Sequence, residues 1–427
     1  MLLNCVQQTV FNGGVAGEFM LRSARVSLPL MGLLVGAACG TNTPATQTPP
    51  TPTGASYEMS LRLAPGQEAH KCQLVQLPAD AAFVIGAQHE YTVGSHHMLL
   101  FKTDLTAIPA GLEGVRDCYE TGGTSLMSYV RGALYAAQQT TGKVVYPSGV
   151  GLPVKAGDVL LFQAHYVNAS TSPLDARVQV RLDLGKAESI TQRAGVLFFY
   201  NPFIHVPESS MARASMRCRL REAITVLGAS SHYHKRGVGY AAFLDAPDGA
   251  LAGTPFYTST DWEHPRPMQT PLAVPQGARI RFECTYDNMA GARPYYQGQS
   301  AANDEMCMFM GLYFPALDAR DELCQAEADM FGVGRTSCLD TARCLQQCGT
   351  AAIPNLNGRS QAAVDPCWQR CMAGACPNAT RPLINQLTCT RTNCSGQCFV
   401  AGPECTACVT RSCTAEALAC QTATCAQ

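Results

Sequence analysis

The sequence predicts an all-β protein of two tandem β-sandwich or jelly-roll domains, followed by a small Cys-rich module. From about residue 57 to 330, short runs rich in Val, Ile, Phe, Tyr and Leu are bounded by Gly, Pro, Asp and Asn, which is typical of strands and turns. A six-residue pattern recurs in register after 120 residues, and fourteen of the 22 cysteines lie beyond residue 333. A length of 427 residues suits about two to three domains.

Residues 1–39 have the features of an export leader. From Met20, an alternative start to Met1, two arginines precede an apolar stretch at 28–35, and small residues lead directly to Cys39. The apolar stretch is too short to span a bilayer and suits a cleaved secretory signal. Because the arrangement resembles a bacterial lipoprotein signal, we expect Cys39 to carry a lipid anchor at the cell surface or in the periplasm, with ordinary secretion as the alternative.

A Thr/Pro-rich linker, residues 40–56, follows the leader. This composition buries little apolar surface, so we expect an extended tether between the anchor and the folded part, and membrane contact only through the anchor. The net charge of −1 argues against a nucleic-acid partner. Twenty-two cysteines argue for an oxidising compartment outside the cytosol.

The internal repeat divides the β region into an N-terminal domain, 57–192, and a C-terminal domain, 193–332. Each copy has a Gly turn, a strand and a Tyr-x-Asn exit. The matching residues are Leu152, Val154, Gly157, Phe162, Tyr166 and Asn168 in the first copy, and Leu272, Val274, Gly277, Phe282, Tyr286 and Asn288 in the second. The copies differ just before the Tyr, where the first has His165 and the second has Thr285.

Five of the nine histidines fall in three strand-like places. His232 and His234 are two residues apart, so on a strand both imidazoles project from one face and can converge on a metal ion. His96 and His97 are adjacent, so both can bind one metal only at a bulge or a strand end. The other four histidines (His70, His89, His205 and His264) have no companion ligands in the sequence and are assigned no role, and Trp262 is interpreted as a packing residue.

Late in the second domain comes the segment Asp304-Glu305-Met306-Cys307. A thioether is a soft, neutral ligand that suits Cu(I) and is a poor choice for Zn, Mg or Ca, whereas a set of three histidines does not select among Cu, Zn and Fe. Two histidines with a methionine therefore indicate copper. Met308 and Met310 lie close by, and the residues alone do not choose among the three methionines.

Four segments occur in the order seen in one known family: Gly94–Met98, Gln163–Tyr166, Ser231–Gly237 and Asp304–Cys307. Together they resemble the copper type II, ascorbate-dependent monooxygenases. The resemblance implies two jelly-roll domains that face each other across a cleft, each with one copper ion. The first copper would be held by His96, His97 and His165, and the second, the hydroxylation site, by His232, His234 and Met306.

The same resemblance implies three disulfides: Cys72–Cys118, Cys218–Cys324 and Cys284–Cys307. The implied reaction is hydroxylation of a C–H bond of a small organic substrate with O₂, with ascorbate as the reductant. Inserting one oxygen atom and reducing the other to water takes two electrons from outside the substrate, and one copper supplies only one. A non-catalytic extracellular copper-binding or adhesion protein is the alternative.

The chain departs from the peptide-hydroxylating branch of that family where the substrate carboxylate is held. Those enzymes have an Arg two residues before the His-x-His, with Asn and Tyr soon after the Met-Cys; this chain has Ser230, Met308 and Met310 there. A carboxylate without a cation or donors would be poorly held. We therefore expect a less charged substrate than a glycine-extended peptide.

The segment 333–427 contains fourteen cysteines and no histidine. Cysteines four residues apart, such as Cys344 and Cys348, share one face of a helix, so short helices joined by disulfides are expected. An even count, an oxidising location and the lack of His favour disulfides over zinc thiolates. Their connectivity cannot be deduced, and the module is either a binding module for an unknown partner or a rigid cap on the copper domains.

Overall fold

The computed structural model describes residues 53–119, 125–317, 322–324, 328–348, 365–394, 396–398 and 402–425. The leader, with Cys39, and the linker up to residue 52 lie outside them, so export and the lipid anchor stay predictions. Within the described part of the chain, no helix is both long enough and apolar enough to cross a bilayer.

Eleven strands and two short 3-10 turns, Leu126–Tyr129 and Ala187–Ser189, build the N-terminal β region. The strands are β1 (Thr53–Leu63), β2 (Glu68–Gln76), β3 (Phe83–Tyr91), β4 (Ser95–Thr103), β5 (Val115–Asp117), β6 (Val130–Ala137), β7 (Thr141–Val145), β8 (Val150–Pro153), β9 (Val159–Val167), β10 (Leu174–Gly185) and β11 (Gln192–Arg193). One sheet has the order β1-β10-β3-β8-β11, with β7 also paired to β3, and the other has the order β5-β2-β9-β4-β6.

Alternating apolar residues pack these two sheets face to face. From Ala176 to Leu184, every second residue of β10 is buried, including Val178, Val180 and Leu182. They share one core with Leu160 and Phe162 of β9 in the opposite sheet. This alternation is the expected pattern for a sheet with one face toward a core.

A second group of eleven strands builds the C-terminal β region. They are β12 (Gly195–Tyr200), β13 (His205–Val206), β14 (Met211–Arg219), β15 (Ile224–Tyr233), β16 (Gly237–Asp245), β17 (Tyr257–Ser259), β18 (Leu272–Val274), β19 (Arg279–Asp287), β20 (Tyr295–Tyr296), β21 (Cys307–Phe314) and β22 (Ala328–Met330). Their sheets have the orders β12-β21-β15-β18 and β17-β16-β19-β14-β22, and β13 pairs with β20. One core, which includes Phe199, Phe282 and Phe309, lies between the two larger sheets.

The two β regions contact each other through a sheet from each. All residues of β9 except the last are buried, because the face of β9 that points away from the N-terminal core packs toward the second region. Phe101 of β4 meets Phe198 of β12 edge to face, with ring centroids 6.3 Å apart. The hydroxyl of Tyr119 donates to Gln299 Oε1 at 3.0 Å.

Five helices form the C-terminal module: α1 (Cys338–Gln347), α2 (Pro366–Gly374), α3 (Pro377–Cys394), α4 (Pro403–Ser412) and α5 (Thr414–Thr422). Asp365 caps α2 by accepting from Cys367 N, and Pro366 occupies the first turn, where no intrahelical N–H is needed. The module contains seven disulfides, Cys338–Cys420, Cys344–Cys371, Cys348–Cys367, Cys376–Cys425, Cys389–Cys413, Cys394–Cys408 and Cys398–Cys405.

The module packs directly on the second β region. Met372 and Leu383 belong to the same core as the strands of that region. The buried amide of Gln369 accepts from Gln297 N at 2.6 Å and donates to Gln297 O at 3.2 Å. The helices therefore support the backbone of a loop between β20 and β21.

The predicted mostly β architecture with a small helical, disulfide-rich C-terminal region is confirmed. The structure also contains Cys72–Cys118, Cys218–Cys324 and Cys284–Cys307, the pairs that the resemblance implied. One boundary differs, because β1 begins at Thr53 and pairs with β10, so residues 53–56 are strand and not linker. Pairing with β10 outweighs the local composition there.

Candidate metal centre

His96 and His97 lie at a β-bulge. Ser95 is opposite Tyr166, but His97 is opposite His165, so His96 is an extra residue in β4 with no partner position on β9. Directly opposite residues project from the same face, which brings His97 and His165 together. The bulge turns His96 toward the same place, and the three histidines have ligand nitrogens within 4.8 Å of one another.

The row of histidines continues onto β2. His70 is opposite His165, and their rings are stacked with centroids 3.8 Å apart. Two residues earlier on the same strand, Glu68 Oε1 accepts from His165 Nε2 at 2.8 Å. His70, which has no companion ligand in the sequence, thus lies directly against a candidate ligand.

The second set comes from β15 and β21. His232 is opposite Met308, and the register continued by one residue places Met306 opposite His234. The backbone of Met306 is fixed from two sides, because Tyr286 OH donates to Met306 O at 2.6 Å and the next residue, Cys307, is joined to Cys284.

All five candidate histidines converge in one place between the two β regions. The ring of His96 lies 4.9 Å from His232 and 5.5 Å from His234, centroid to centroid, and the ring of His97 lies 4.9 Å from His232. Each of the five is at most 9% exposed. Two separate sites across an open cleft were expected; here the two sets are in ring contact, and the ligand nitrogens of His96 are within 4.8 Å of those of both sets.

The surroundings keep these imidazoles neutral. Burial lowers the pKa of each of the five well below its usual value, and the neighbouring imidazoles lower it further, since a second positive charge nearby would be repelled. A neutral imidazole is the form that binds a metal ion. Nearby, burial raises the pKa of Glu305 to about 7, although its Oε1 accepts from Arg236 Nη1 at 2.7 Å.

Hydrogen bonds determine which nitrogen of three rings is available to a metal. His234 Nδ1 donates to the carbonyl oxygen of Asp304 at 3.2 Å, which leaves the lone pair on Nε2. His232 Nδ1 donates to Gln138 Oε1 at 3.0 Å, again leaving Nε2. In His165 it is Nε2 that donates, to Glu68, so the lone pair is on Nδ1.

This arrangement fits copper. Both ring nitrogens of His96 and the Nε2 of His234 are buried with no hydrogen-bond partner among the described residues. Buried nitrogens left in this way are costly unless another group satisfies them. Neutral imidazoles, together with Met306 opposite His234 in the strand register, form a donor group that suits a copper ion in both oxidation states.

Four residues that adjoin the site were not identified as functional from the sequence. Glu68, His70 and Gln138 contact candidate ligands, and the ring of Trp262 lies 5.1 Å from that of His96. Gln138 also donates from Nε2 to the Trp262 carbonyl at 3.3 Å. The pattern Glu68-x-His70 places both side chains on one strand face, but it indicates a site only once β2 is known to pair with β9. No sequence pattern around Gln138 or Trp262 indicates a functional role.

Residues 193–331 match the family model of the copper type II ascorbate-dependent monooxygenase, C-terminal domain. No curated protein matches the chain. Among solved structures, the major capsid protein P2 from bacteriophage PM2 has 8% identity and a TM-score of 0.25, over 61% of this chain and 98% of that one. N-glycanase F has 8% identity and a TM-score of 0.27, over 61% of this chain and 94% of that one. The second β region thus matches the C-terminal domain of a copper- and ascorbate-dependent monooxygenase, and this match supports a copper monooxygenase kind of function.

Proposed function

We propose that this protein hydroxylates a C–H bond of a small, weakly charged organic substrate with O₂, using two copper ions and ascorbate. The observation that carries the proposal is the convergence of five buried, neutral imidazoles from both β regions next to the segment that contains Met306. A protein that only binds copper has no need for two adjacent ligand sets.

The residues that would hold copper are His96, His97 and His165 in one set and His232, His234 and Met306 in the other. Bound copper would supply one-electron redox chemistry and the activation of O₂. The chain itself holds the ligand nitrogens in fixed tautomers through Glu68, Gln138 and the Asp304 carbonyl. Fixed tautomers reduce the reorganisation needed on binding.

The surface beside His232 supports a weakly charged substrate. Ser230 is opposite Met310 and His232 is opposite Met308, so these four side chains lie on one face of the sheet. The nearest cations along the chain are Lys235, whose side chain is exposed, and Arg236, which is engaged by Glu305 and lies over the ring of Tyr295. These four residues offer no positive charge to a substrate carboxylate, whereas an apolar group would contact the two thioethers.

Export is part of the proposal. The described residues contain ten disulfides, which persist in an oxidising compartment. The predicted leader and Cys39 would place the protein at the cell surface or in the periplasm, held by a lipid, and the Thr/Pro linker would separate it from the membrane.

The test uses the purified full-length chain loaded with Cu(II). Copper per chain is measured by mass spectrometry, and O₂ uptake with ascorbate is followed over a panel of uncharged, cationic and carboxylate compounds. We expect two copper ions and substrate-coupled uptake, lost in Met306→Ala and His165→Ala but kept in the control Met289→Ala, whose side chain is exposed. If copper binds but no compound in the panel couples to O₂ uptake, the proposed enzyme activity is wrong. The alternative function, a copper-binding or adhesion protein, would then be supported.

A further inference from the structure

We propose that Glu68 is a positioning residue that ties the two candidate copper sites together, an inference that rests on the proposed function. Its carboxylate accepts from His165, a ligand of the first site, and from the turn that precedes Met306, a ligand of the second. No sequence motif marks Glu68, and the family match, which begins at residue 193, does not include it.

Glu68 receives three hydrogen bonds, from both β regions. Oε1 accepts from His165 Nε2 at 2.8 Å and from the backbone N–H of Ala301 at 2.8 Å. Oε2 accepts from Ser300 Oγ at 2.6 Å. The side chain is only 20% exposed, so these bonds are little weakened by solvent.

The turn at 300–304 is held together by hydrogen bonds between its own residues. Asp304 N donates to Ser300 O at 2.8 Å, Ser300 N donates to Asp304 Oδ2 at 3.0 Å, and Asn303 N donates to Ser300 Oγ at 3.1 Å. The carbonyl of Asp304 then accepts from His234 Nδ1. A displacement of the Glu68 carboxylate is therefore passed through this turn to His234 and to Met306, two residues further along.

On the first site, Glu68 acts through His165. A carboxylate that accepts from one imidazole nitrogen fixes the tautomer and makes the other nitrogen a more basic ligand. His70, stacked on His165, limits rotation of the ring from the other side. The carboxylate thus determines both the direction and the donor strength of His165 Nδ1.

Direct ligation by Glu68 is the competing interpretation, since Glu68, His70 and His165 have ligand atoms within 4.8 Å of one another. Both carboxylate oxygens already accept hydrogen bonds from His165, Ser300 and Ala301. A metal at this position would have to displace those donors. The hydrogen bonds therefore favour positioning over ligation.

The test compares full-length Glu68→Gln, Glu68→Asp and Ser300→Ala with the parent, each titrated with copper alone. Glu58→Gln is the matched control, because Glu58 is a strand carboxylate paired with Arg177 on the exposed face. Copper affinity is measured by chelator competition, the first site by Cu(II) EPR, and sulfur ligation at the second site by Cu(I) X-ray absorption. Thermal melts verify folding.

We expect Glu68→Gln to weaken copper binding roughly 10- to 100-fold, to shift the EPR parameters, and to reduce the Cu–S signal. Glu68→Asp should restore the EPR parameters in part. Ser300→Ala should reduce the Cu–S signal and leave the EPR parameters unchanged. Glu58→Gln should change neither the Cu–S signal nor the EPR parameters.

A Glu68→Gln protein that folds and keeps both signatures would overturn the inference and leave the proposed function intact. A parent with a third copper ion that Glu68→Gln loses would show ligation instead. A parent that binds no copper would overturn the proposed function, and this inference with it.

Discussion

The imidazole rings of His96 and His232 lie 4.9 Å apart, centroid to centroid, although they belong to different β regions and to different candidate copper sites. His96 is the extra residue of a bulge, and its ring nitrogens reach toward both sets. His165, on β9, belongs to the first set and is held there by Glu68. His96 and His165 are therefore not equivalent members of the first ligand set.

His96→Ala is expected to lower copper occupancy at both sites, whereas His165→Ala lowers it at the first site only. The reason is that the nitrogens of His96 lie within ligand distance of both sets. Copper per chain after gel filtration, together with the Cu(I)–sulfur signal, separates the two cases. His96→Ala with one copper ion and an unchanged sulfur signal would contradict the shared position of His96.

Met306→Leu is expected to abolish sulfur ligation of Cu(I), and Met308→Leu to leave it unchanged. Leu is close to Met in volume, so the core is little disturbed. Both methionines lie on the face of His232, but the register places Met306 opposite His234, where the strand ends and the backbone is fixed by Tyr286. X-ray absorption of the reduced protein measures the result. If Met308→Leu loses the sulfur signal and Met306→Leu keeps it, the sulfur ligand is Met308 and not Met306.

Gln138→Leu is expected to weaken copper binding at the second site by roughly 10- to 100-fold, the effect of removing a partner that orients a ligand. Its Oε1 accepts from His232 Nδ1, and its Nε2 donates to the Trp262 carbonyl, so the direction of the amide is fixed. Gln139→Leu is the matched control, since the Gln139 side chain donates across the same interface to Pro265 O and has no hydrogen bond to a candidate ligand within the described part of the chain. Equal losses in both variants would indicate a general effect of the interface.

Ser230→Arg is expected to shift substrate preference toward compounds with a carboxylate. Ser230 lies two residues before His232 on the same face and opposite Met310, so an Arg there adds the missing cation beside the second site. The ratio of kcat/KM for matched carboxylate and amide compounds, from O₂ uptake, measures the shift. An unchanged ratio would mean that substrates do not approach along this face.

The parts of the site that are local in sequence were accessible to prediction. The His-x-His spacing places two rings on one strand face, and the adjacent pair His96–His97 requires the bulge that the structure has. Glu68 and Gln138 were not accessible, because their contacts depend on strand register and on how the β regions dock. The spacing of the fourteen cysteines predicted that the module consists of helices joined by disulfides. It did not predict which cysteines pair, because many pairings are compatible with the same spacing.

The burial of both ligand sets at the joint between the β regions has a consequence for turnover. For the proposed reaction, a substrate larger than O₂ would reach the buried second set only if the two β regions separated locally. The rate of that separation would then be an upper limit on turnover. The carboxylate of Glu68 and the amide of Gln138, which bridge the joint, would oppose the separation while they orient the ligands.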